Sequence, residues 1–307
     1  EAGVPLTIQV LPDRSLSPRS DALVRSAVAP LYRRATMNAA QVSQYVLGNR
    51  VTLLYRHGPF WRVRGEDGHV GWIHRGYLLR AEPERTLAWE RAEGGEPVVS
   101  LGAELQDPAG NTFARLPWGA RVIRLSRERI LLPDGREGTL GGGEVVGADR
   151  LADRFPPLGE SITRTARRWL GAPYLWGGVT PAGVDCSGLI QSVFWIHGVA
   201  MPRDSDLQVR IGVEVDPGDD FSQLLPGDLL FFAGKGPVDH VALSLRGPHI
   251  IHSSASNGGV DLNDLSGDLP VERMLRRGFV RARRVLADRP RVDRPATDRH
   301  STDSPSA

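Results

Sequence analysis

Asp185-Cys186-Ser187-Gly188-Leu189-Ile190 holds the only cysteine of this 307-residue chain, and the reading of that stretch organises the rest. The residues that follow, Leu189, Ile190, Val193, Phe194 and His197, fall near the i, i+3, i+4, i+7 spacing of a helix with one buried face. Asp185 and Ser187 are cap-type residues at its start, and Gly198 is a stop signal at its end. Cys186 is therefore predicted at a helix N-terminus, where unpaired N–H groups and the macrodipole favour a thiolate, with a pKa below the ordinary value of about 8.5. Gly171, Gly177, Gly178 and Gly183 keep the approach to it low in side-chain bulk. A lone cysteine is commonly inert packing, but the flanking Asp and Ser argue against simple burial here.

A nucleophilic thiol needs a base beside it and a group that orients the base. Pro226-Gly227-Asp228 reads as a turn, and Leu229-Leu230-Phe231-Phe232 as a central strand. His240-Val241-Ala242-Leu243-Ser244-Leu245 alternates strictly, with His240, Ala242 and Ser244 on its less apolar side. Gly247-Pro248 turns the chain into His249-Ile250-Ile251-His252. A turn of odd length would set Ala242 opposite His252 and make His240 and His252 diagonal neighbours on one face, whereas a two-residue turn would face His252 away. His240 is the candidate base for Cys186, with His252 as its partner. His249 at a turn and His197 at the far end of the Cys186 helix are assigned no role.

Composition narrows the alternatives. The net charge is +2 with a pI near 9.0. No cluster interleaves basic with aromatic residues as single-strand nucleic-acid binders do, so the Arg-rich segments read as solvated faces and no nucleic-acid partner is expected. No run reaches the roughly 18 consecutive apolar residues of a membrane span. One cysteine gives neither an internal disulfide nor a Cys-rich zinc site. His57, His69 and His74 are scattered over strand faces and turns, so neither a metal nor another cofactor is expected. No signal peptide is visible at Glu1, which fits a cytoplasmic or an exported protein.

An internal repeat precedes the cysteine. Gly48-Asn49-Arg50-Val51-Thr52-Leu53-Leu54 matches Gly119-Ala120-Arg121-Val122-Ile123-Arg124-Leu125, and Asp67-Gly68-His69-Val70-Gly71 matches Asp134-Gly135-Arg136-Glu137-Gly138, at offsets of 71 and 67 residues. Each copy has short β-rich runs around a hairpin turn, which predicts two small β-barrels. The expected organisation is an N-terminal arm over 1–35, barrels over 36–85 and 86–155, a third domain over 156–286 entered through Pro156-Pro157, and a tail over 287–307. Asp21 to Ala29 has weak helical periodicity, so the arm reads as packing or a short helix. The tail is too poor in apolar residues to offset its ordering entropy and is expected to be disordered.

The repeat resembles the bacterial SH3 domain through Gly48-x-x-Val51, Trp61 and Gly71-Trp72-Ile73, with a second copy that carries Thr139 where the Trp stands. Residues 161 to about 285 resemble the NlpC/P60 cysteine peptidases, a papain-like family that cleaves bacterial cell-wall peptides. The resemblance rests on Gly171-Ala172-Pro173-Tyr174-Leu175-Trp176-Gly177-Gly178, Asp185-Cys186-Ser187-Gly188-Leu189, Pro202-Arg203-Asp204-Ser205, Pro226-Gly227-Asp228-Leu229, His240-Val241-Ala242 and Ile251-His252-Ser253. It implies an α+β chain, a papain-like catalytic domain after two small SH3-like barrels. In it Cys186 is the nucleophile, His240 the general base and acid, and His252 the group that orients His240. With two SH3-like units in front, the chain is similar to γ-D-glutamyl-L-diamino-acid endopeptidases, which act on murein-derived peptides with a free N-terminal L-Ala. That implies substrate contacts at Tyr174, Asp185, Ser187, Asp204 and Ser205. The first barrel adds Asn49 and His69, where the subgroup offers an acidic residue and a tyrosine.

Overall fold

The computed structural model describes residues 10–286, so the expected disordered tail and the first nine residues of the expected arm lie outside the described residues. Residues 10–81 build one sheet from β1 (Asp21–Val24), β2 (Val28–Tyr32), β3 (Gln41–Val46), β4 (Arg50–His57), β5 (Phe60–Gly65), β6 (Val70–His74) and β7 (Leu78–Ala81), in the order β3-β2-β6-β5-β4-β1-β7. Val24, Leu31, Leu53, Trp61, Val63 and Ile73 fill its core. The expected arm or helix over 1–35 is thereby corrected. Asp21 to Val24 is buried at every residue and pairs with both β4 and β7, and Val28 to Tyr32 pairs with β3. A nine-residue helical pattern is weak against such two-sided strand pairing. Pro30 is tolerated because β2 meets its second neighbour, β6, only at Tyr32.

After α1 (Pro83–Glu90), a second sheet runs through β8 (Glu96–Gln106), β9 (Thr112–Leu116), β10 (Arg121–Arg124), β11 (Arg129–Leu131) and β12 (Glu137–Gly147). Its order is β10-β11-β12-β8-β9, and β10 also pairs with β8, so four of its strands close into a ring. The repeated turns share one backbone conformation. Gly48 and Gly119 have φ of +79° and +80°, and Gly68 and Gly135 have +79° and +85°, a left-handed region that only glycine enters without cost.

The remainder forms an α+β domain. α2 (Leu151–Arg154) and α3 (Gly159–Arg167) lead through the β13 (Val179–Thr180) and β14 (Gly183–Val184) hairpin into α4 (Cys186–Ile196). α5 (Ser205–Gln208) follows, then β15 (Val213–Val215), β16 (Leu229–Phe232), β17 (His240–Arg246), β18 (His249–Ser254), β19 (Gly259–Asp264), α6 (Pro270–Gly278) and β20 (Phe279–Arg284). These six strands form an antiparallel sheet in the order β15-β20-β16-β17-β18-β19. α4 packs its Leu189, Ile190, Val193 and Phe194 against Phe231, Val241, Leu243 and Ile251 on one face of that sheet. Leu275 of α6 covers Leu230, Phe232, Ala242 and Ile250 on the other.

The three parts share contacts that position the site. β3 lies against the catalytic domain, where Gln41 Nε2 donates to the Trp176 carbonyl and Gln44 Oε1 accepts from Val179 N. The first two sheets meet at Gly48, where Arg121 N donates to the Leu47 carbonyl at 2.9 Å. A Cβ on Gly48 would stand 1.9 Å from the Arg121 carbonyl oxygen. Gly48→Ala is therefore expected to destabilise the chain by roughly 1–3 kcal/mol, from forced positive φ plus a backbone clash. Thermal melting checks this, and Gly58→Ala, which has a positive φ but open space around it, should cost less.

Candidate active site

α4 begins where the sequence placed it, and Asp185 is the reason. Its Oδ1 accepts from Gly188 N at 2.7 Å and caps the helix, while Oδ2 accepts from Gly177 N at 2.7 Å and ties the preceding loop to the same point. This carboxylate is buried and paired with Arg203, whose Nη1 and Nη2 reach Oδ1 and Oδ2 at 3.0 and 2.7 Å. Arg203 spends its remaining donors on Ser187 Oγ, the Gly178 carbonyl and Ser43 Oγ of β3, so all five N–H groups have partners. Ser187 is thus held inside this web. Sequence reasoning assigned Arg203 no role. The available signal was its place two residues from Ser205 in a segment otherwise assigned to substrate.

Cys186 is buried, and the backbone N–H groups of Ser187 and Val241 point at its sulfur. The sulfur therefore lies against the peptide that joins His240 to Val241. Burial first, and the Asp185 charge second, push the thiol up to about 11. Burial first, and His252 second, push His240 down to about 3. This corrects the expectation of a depressed thiol pKa. The residue that caps the helix brings a negative charge to its N-terminus and opposes the dipole there, and burial of the sulfur disfavours its charged form. Both shifts favour the uncharged forms of the thiol and the imidazole.

The strand register settles the two histidines. Arg246 pairs with His249 across the two-residue Gly247-Pro248 turn, which alone would face His252 away, but an irregularity at Leu245 shifts the register so that Leu243 pairs with Ile251 and Ser244 with Ile250, and continuation of the ladder sets Ala242 opposite His252. His240 Nε2 lies 2.7 Å from His252 Nδ1, and His252 Nε2 lies 2.8 Å from Asn263 Oδ1. Asn263 was not anticipated from sequence, yet it fixes the protons. Its Nδ2 donates to Glu272 Oε1 at 3.4 Å, which leaves Oδ1 facing His252. Asn257 Nδ2 lies 3.3 Å from His252 Nε2 but only 2.8 Å from Asn263 Oδ1, so its proton goes to that oxygen. An amide oxygen only accepts, so His252 carries its proton on Nε2 and accepts at Nδ1. His240 must then donate from Nε2, which leaves Nδ1, the ring nitrogen nearest the backbone, free to take a proton from the sulfur. The arrangement can perform nucleophilic attack with general base assistance.

The other sequence-derived candidates divide. Tyr174 is half-buried. Burial, then the Cys186 and Asp185 charges, raise its hydroxyl to about 12, which places it within electrostatic reach of the thiol. Asp204 begins α5 but makes no side-chain cap bond there, and its Oδ2 lies 3.6 Å from His69 Nδ1 of the first sheet. Ser205 is buried beside it. Asn49 is not brought to this group. Its Oδ1 accepts from Val46 N within its own turn, and it lines a cavity of about 310 Å³ shared with Gln191, Ser192 and Trp195. At 100° per residue those three occupy the side of α4 opposite Cys186. Among the described residues, no group of three or more His, Cys, Asp or Glu side chains could hold a metal ion. Nor is any helix there long and apolar enough to cross a membrane.

Comparison with known proteins agrees with this chemistry. The model of the NlpC/P60 family matches residues 171–278. A γ-D-glutamyl-L-lysine dipeptidyl-peptidase from Bacillus subtilis is 41% identical over 243 residues, covering 73% of this chain and 76% of that protein. A dipeptidyl-peptidase 6 from Lysinibacillus sphaericus is 35% identical over 277 residues, covering 82% of this chain and 94% of its own length. Among solved structures, an NlpC/P60 family protein from Bacillus cereus has a TM-score of 0.71 at 25% identity, covering 87% of this chain and 100% of that one.

Two outcomes are expected. A thiol held above its ordinary pKa is alkylated by iodoacetamide more slowly at pH 7 than a free thiol of pKa about 8.5, with the rate climbing only at higher pH. A depressed imidazole pKa contributes stability that is complete above its unfolded value near 6.5 and is lost as pH falls toward about 3. Mass-spectrometric alkylation rates and melting curves across pH measure both. Asn263→Ala frees His252 to take the other tautomer and should lower kcat by on the order of 10²-fold with little change in KM. Asn263→Asp keeps an acceptor toward Nε2 and should retain most of the rate.

Proposed function

The chain belongs to the NlpC/P60 family of cysteine peptidases, and we propose that it hydrolyses the γ-D-glutamyl–diamino acid bond of murein-derived peptides that carry a free N-terminal L-Ala. The Cys186 sulfur attacks the γ-carbonyl of D-Glu as its proton passes to His240 Nδ1. The Cys186 backbone N–H, at the opening of α4, is the donor for the developing oxyanion. His240 then returns the proton to the leaving amine of the diamino acid, which releases that product and leaves a thioester. Water, deprotonated by His240, attacks the thioester, and the proton goes back to the departing sulfur. His252 orients His240 throughout.

The observation that carries the substrate assignment is Asp204. Its carboxylate is not consumed by its own helix, and it sits where the first sheet meets the catalytic domain, opposite His69. A substrate ammonium leaving water requires an anionic partner, and Asp204 supplies one while Tyr174 offers a hydroxyl to the peptide. The two N-terminal sheets are read as SH3-like units over 10–81 and 86–155. The first of them is read as contributing to substrate binding through His69, while Asp185 and Ser187, buried in the Arg203 web, support the site rather than touch the peptide. The name of the relative from Bacillus subtilis supports the bond assigned.

Cys186→Ala and His240→Ala should each abolish turnover of L-Ala-γ-D-Glu-diamino acid while melting like the parent, because nucleophile and base act as a unit. Asp204→Ala should raise KM about tenfold for the free-amine peptide, the loss of roughly 1.5 kcal/mol for a charged hydrogen bond at a partly exposed site. It should leave the N-acetylated peptide unaffected. Cleavage of acetylated and free peptides at equal rates by the parent would overturn the amine assignment and leave the peptidase chemistry standing.

A further inference from the structure

The first sheet carries charge that peptide hydrolysis does not use. Residues 10–81 contain eleven arginines against four acidic residues, a net +7, in a chain whose total is +2. Some of these arginines are engaged, as Arg50 is with Asp21 and Glu90. A cluster around Trp61 is not. Arg80 Cζ lies 4.8 Å and Arg56 Cζ 5.8 Å from the Trp61 ring centroid. Arg80 Nη2 donates to the Arg19 carbonyl at 3.0 Å, and Arg56 Nε to the Gly58 carbonyl at 2.7 Å. Backbone oxygens and an aromatic ring thus fix both guanidiniums. Among the described residues, none of Arg19, Arg56, Arg80 and Arg85 has an ion pair to a carboxylate.

The geometry leaves donors open. Arg56 uses only Nε and Arg80 one Nη group on protein acceptors, so each keeps part of its planar fork for an outside anion. A cavity of about 230 Å³ opens beside them, lined by Arg19, Arg80, Ala81, Glu82 and Arg85. Glu82 is the one carboxylate on its wall. Burial, then the charges of Arg19 and Arg56, lower the Arg80 guanidinium from its ordinary range, as expected where positive charges meet without a counter-ion. Arg80 is on β7, at the opposite end of the strand order from β3, the strand that faces the catalytic domain.

We propose that this arginine face of the first sheet binds a phosphate-bearing polymer that carries no nucleobases. Planar guanidiniums pair bidentately with phosphate oxygens, and stacking on a ring holds them ready to do so. Arg19, Arg56 and Arg80 in a region of net +7, with Arg85 beside them, match a chain of anions rather than one small ion. Nucleobases need an open aromatic face to stack on, and the ring at the centre of this cluster, Trp61, is only 6% exposed beneath its arginines. The face holds the enzyme on an anionic polymer while the cleft across the sheet stays open to peptide.

The test titrates the full chain with long-chain inorganic polyphosphate and with poly(dT) of matched charge at several salt concentrations, beside turnover of a wall tripeptide. Polyphosphate should bind, with log K falling linearly against log salt. Arg56→Gln/Arg80→Gln, which keeps aliphatic stems over Trp61, should weaken that binding at least tenfold and flatten the salt slope by about two, with kcat/KM on the tripeptide unchanged. Arg56→Lys/Arg80→Lys keeps the charge without the fork and should fall between. The proposal is overturned if the parent fails to bind polyphosphate at about 0.1 M salt, if the Gln double variant binds as tightly as the parent, or if poly(dT) binds more tightly than polyphosphate.

Discussion

The buried ion pair between Asp185 and Arg203 is the contact on which the active-site geometry depends. One carboxylate caps the nucleophile helix, anchors the glycine loop at Gly177 and neutralises a guanidinium that is itself almost wholly buried. Removing one partner of such a pair leaves an uncompensated charge and costs about 3–5 kcal/mol, whereas the intact pair contributes little net stability of its own. What the pair provides is position. Because Arg203 Nε also donates to Ser43 of β3, the start of α4 and the edge of the first sheet are fixed to one guanidinium. The first sheet is therefore fixed to the start of the Cys186 helix, and Gly177 before the cysteine is favoured because Gln41 and Ser43 come within 3.0–3.2 Å of where its Cβ would stand.

A second chain of contacts decides protonation. It runs from Glu272, which is fixed by the backbone of Asp264 and Leu269, through Asn263 and His252 to His240. Each link constrains the next because a carboxylate only accepts, an amide has two unlike ends and a neutral imidazole has one proton. The result is an imidazole whose Nδ1 is left unprotonated. The same burial disfavours both thiolate and imidazolium.

Legibility in the sequence was uneven for physical reasons. The α4 helix, its Asp185 cap and the β17–β18 hairpin follow from local periodicity and turn chemistry, and both candidate registers of the hairpin could be written down in advance. Periodicity failed at Asp21 to Tyr32. β1 is held between β4 and β7, and β2 between β3 and β6, so their pairing depends mostly on strands distant in sequence and no short-range pattern carries that information. Asn49 was placed in the cleft by its position in a repeat, but the turn it closes faces the opposite side of α4.

The sequence by itself determined which atoms could do chemistry: a single thiol at a capped helix start, two histidines twelve residues apart on consecutive strands, and a glycine-lined approach. Those features arise from interactions spanning a few residues, and such interactions are encoded locally. Only the tertiary structure decided the hairpin register, the tautomers, the pKa shifts of Cys186 and His240, and the contact of Asp204 with His69. The register rests on an irregularity within the hairpin, the tautomers on partners 9–12 residues away that only folding brings into contact, and the Asp204 contact on a partner 135 residues away (204 − 69). Desolvation and long-range pairing are properties of the packed chain, so no segment read alone could contain them.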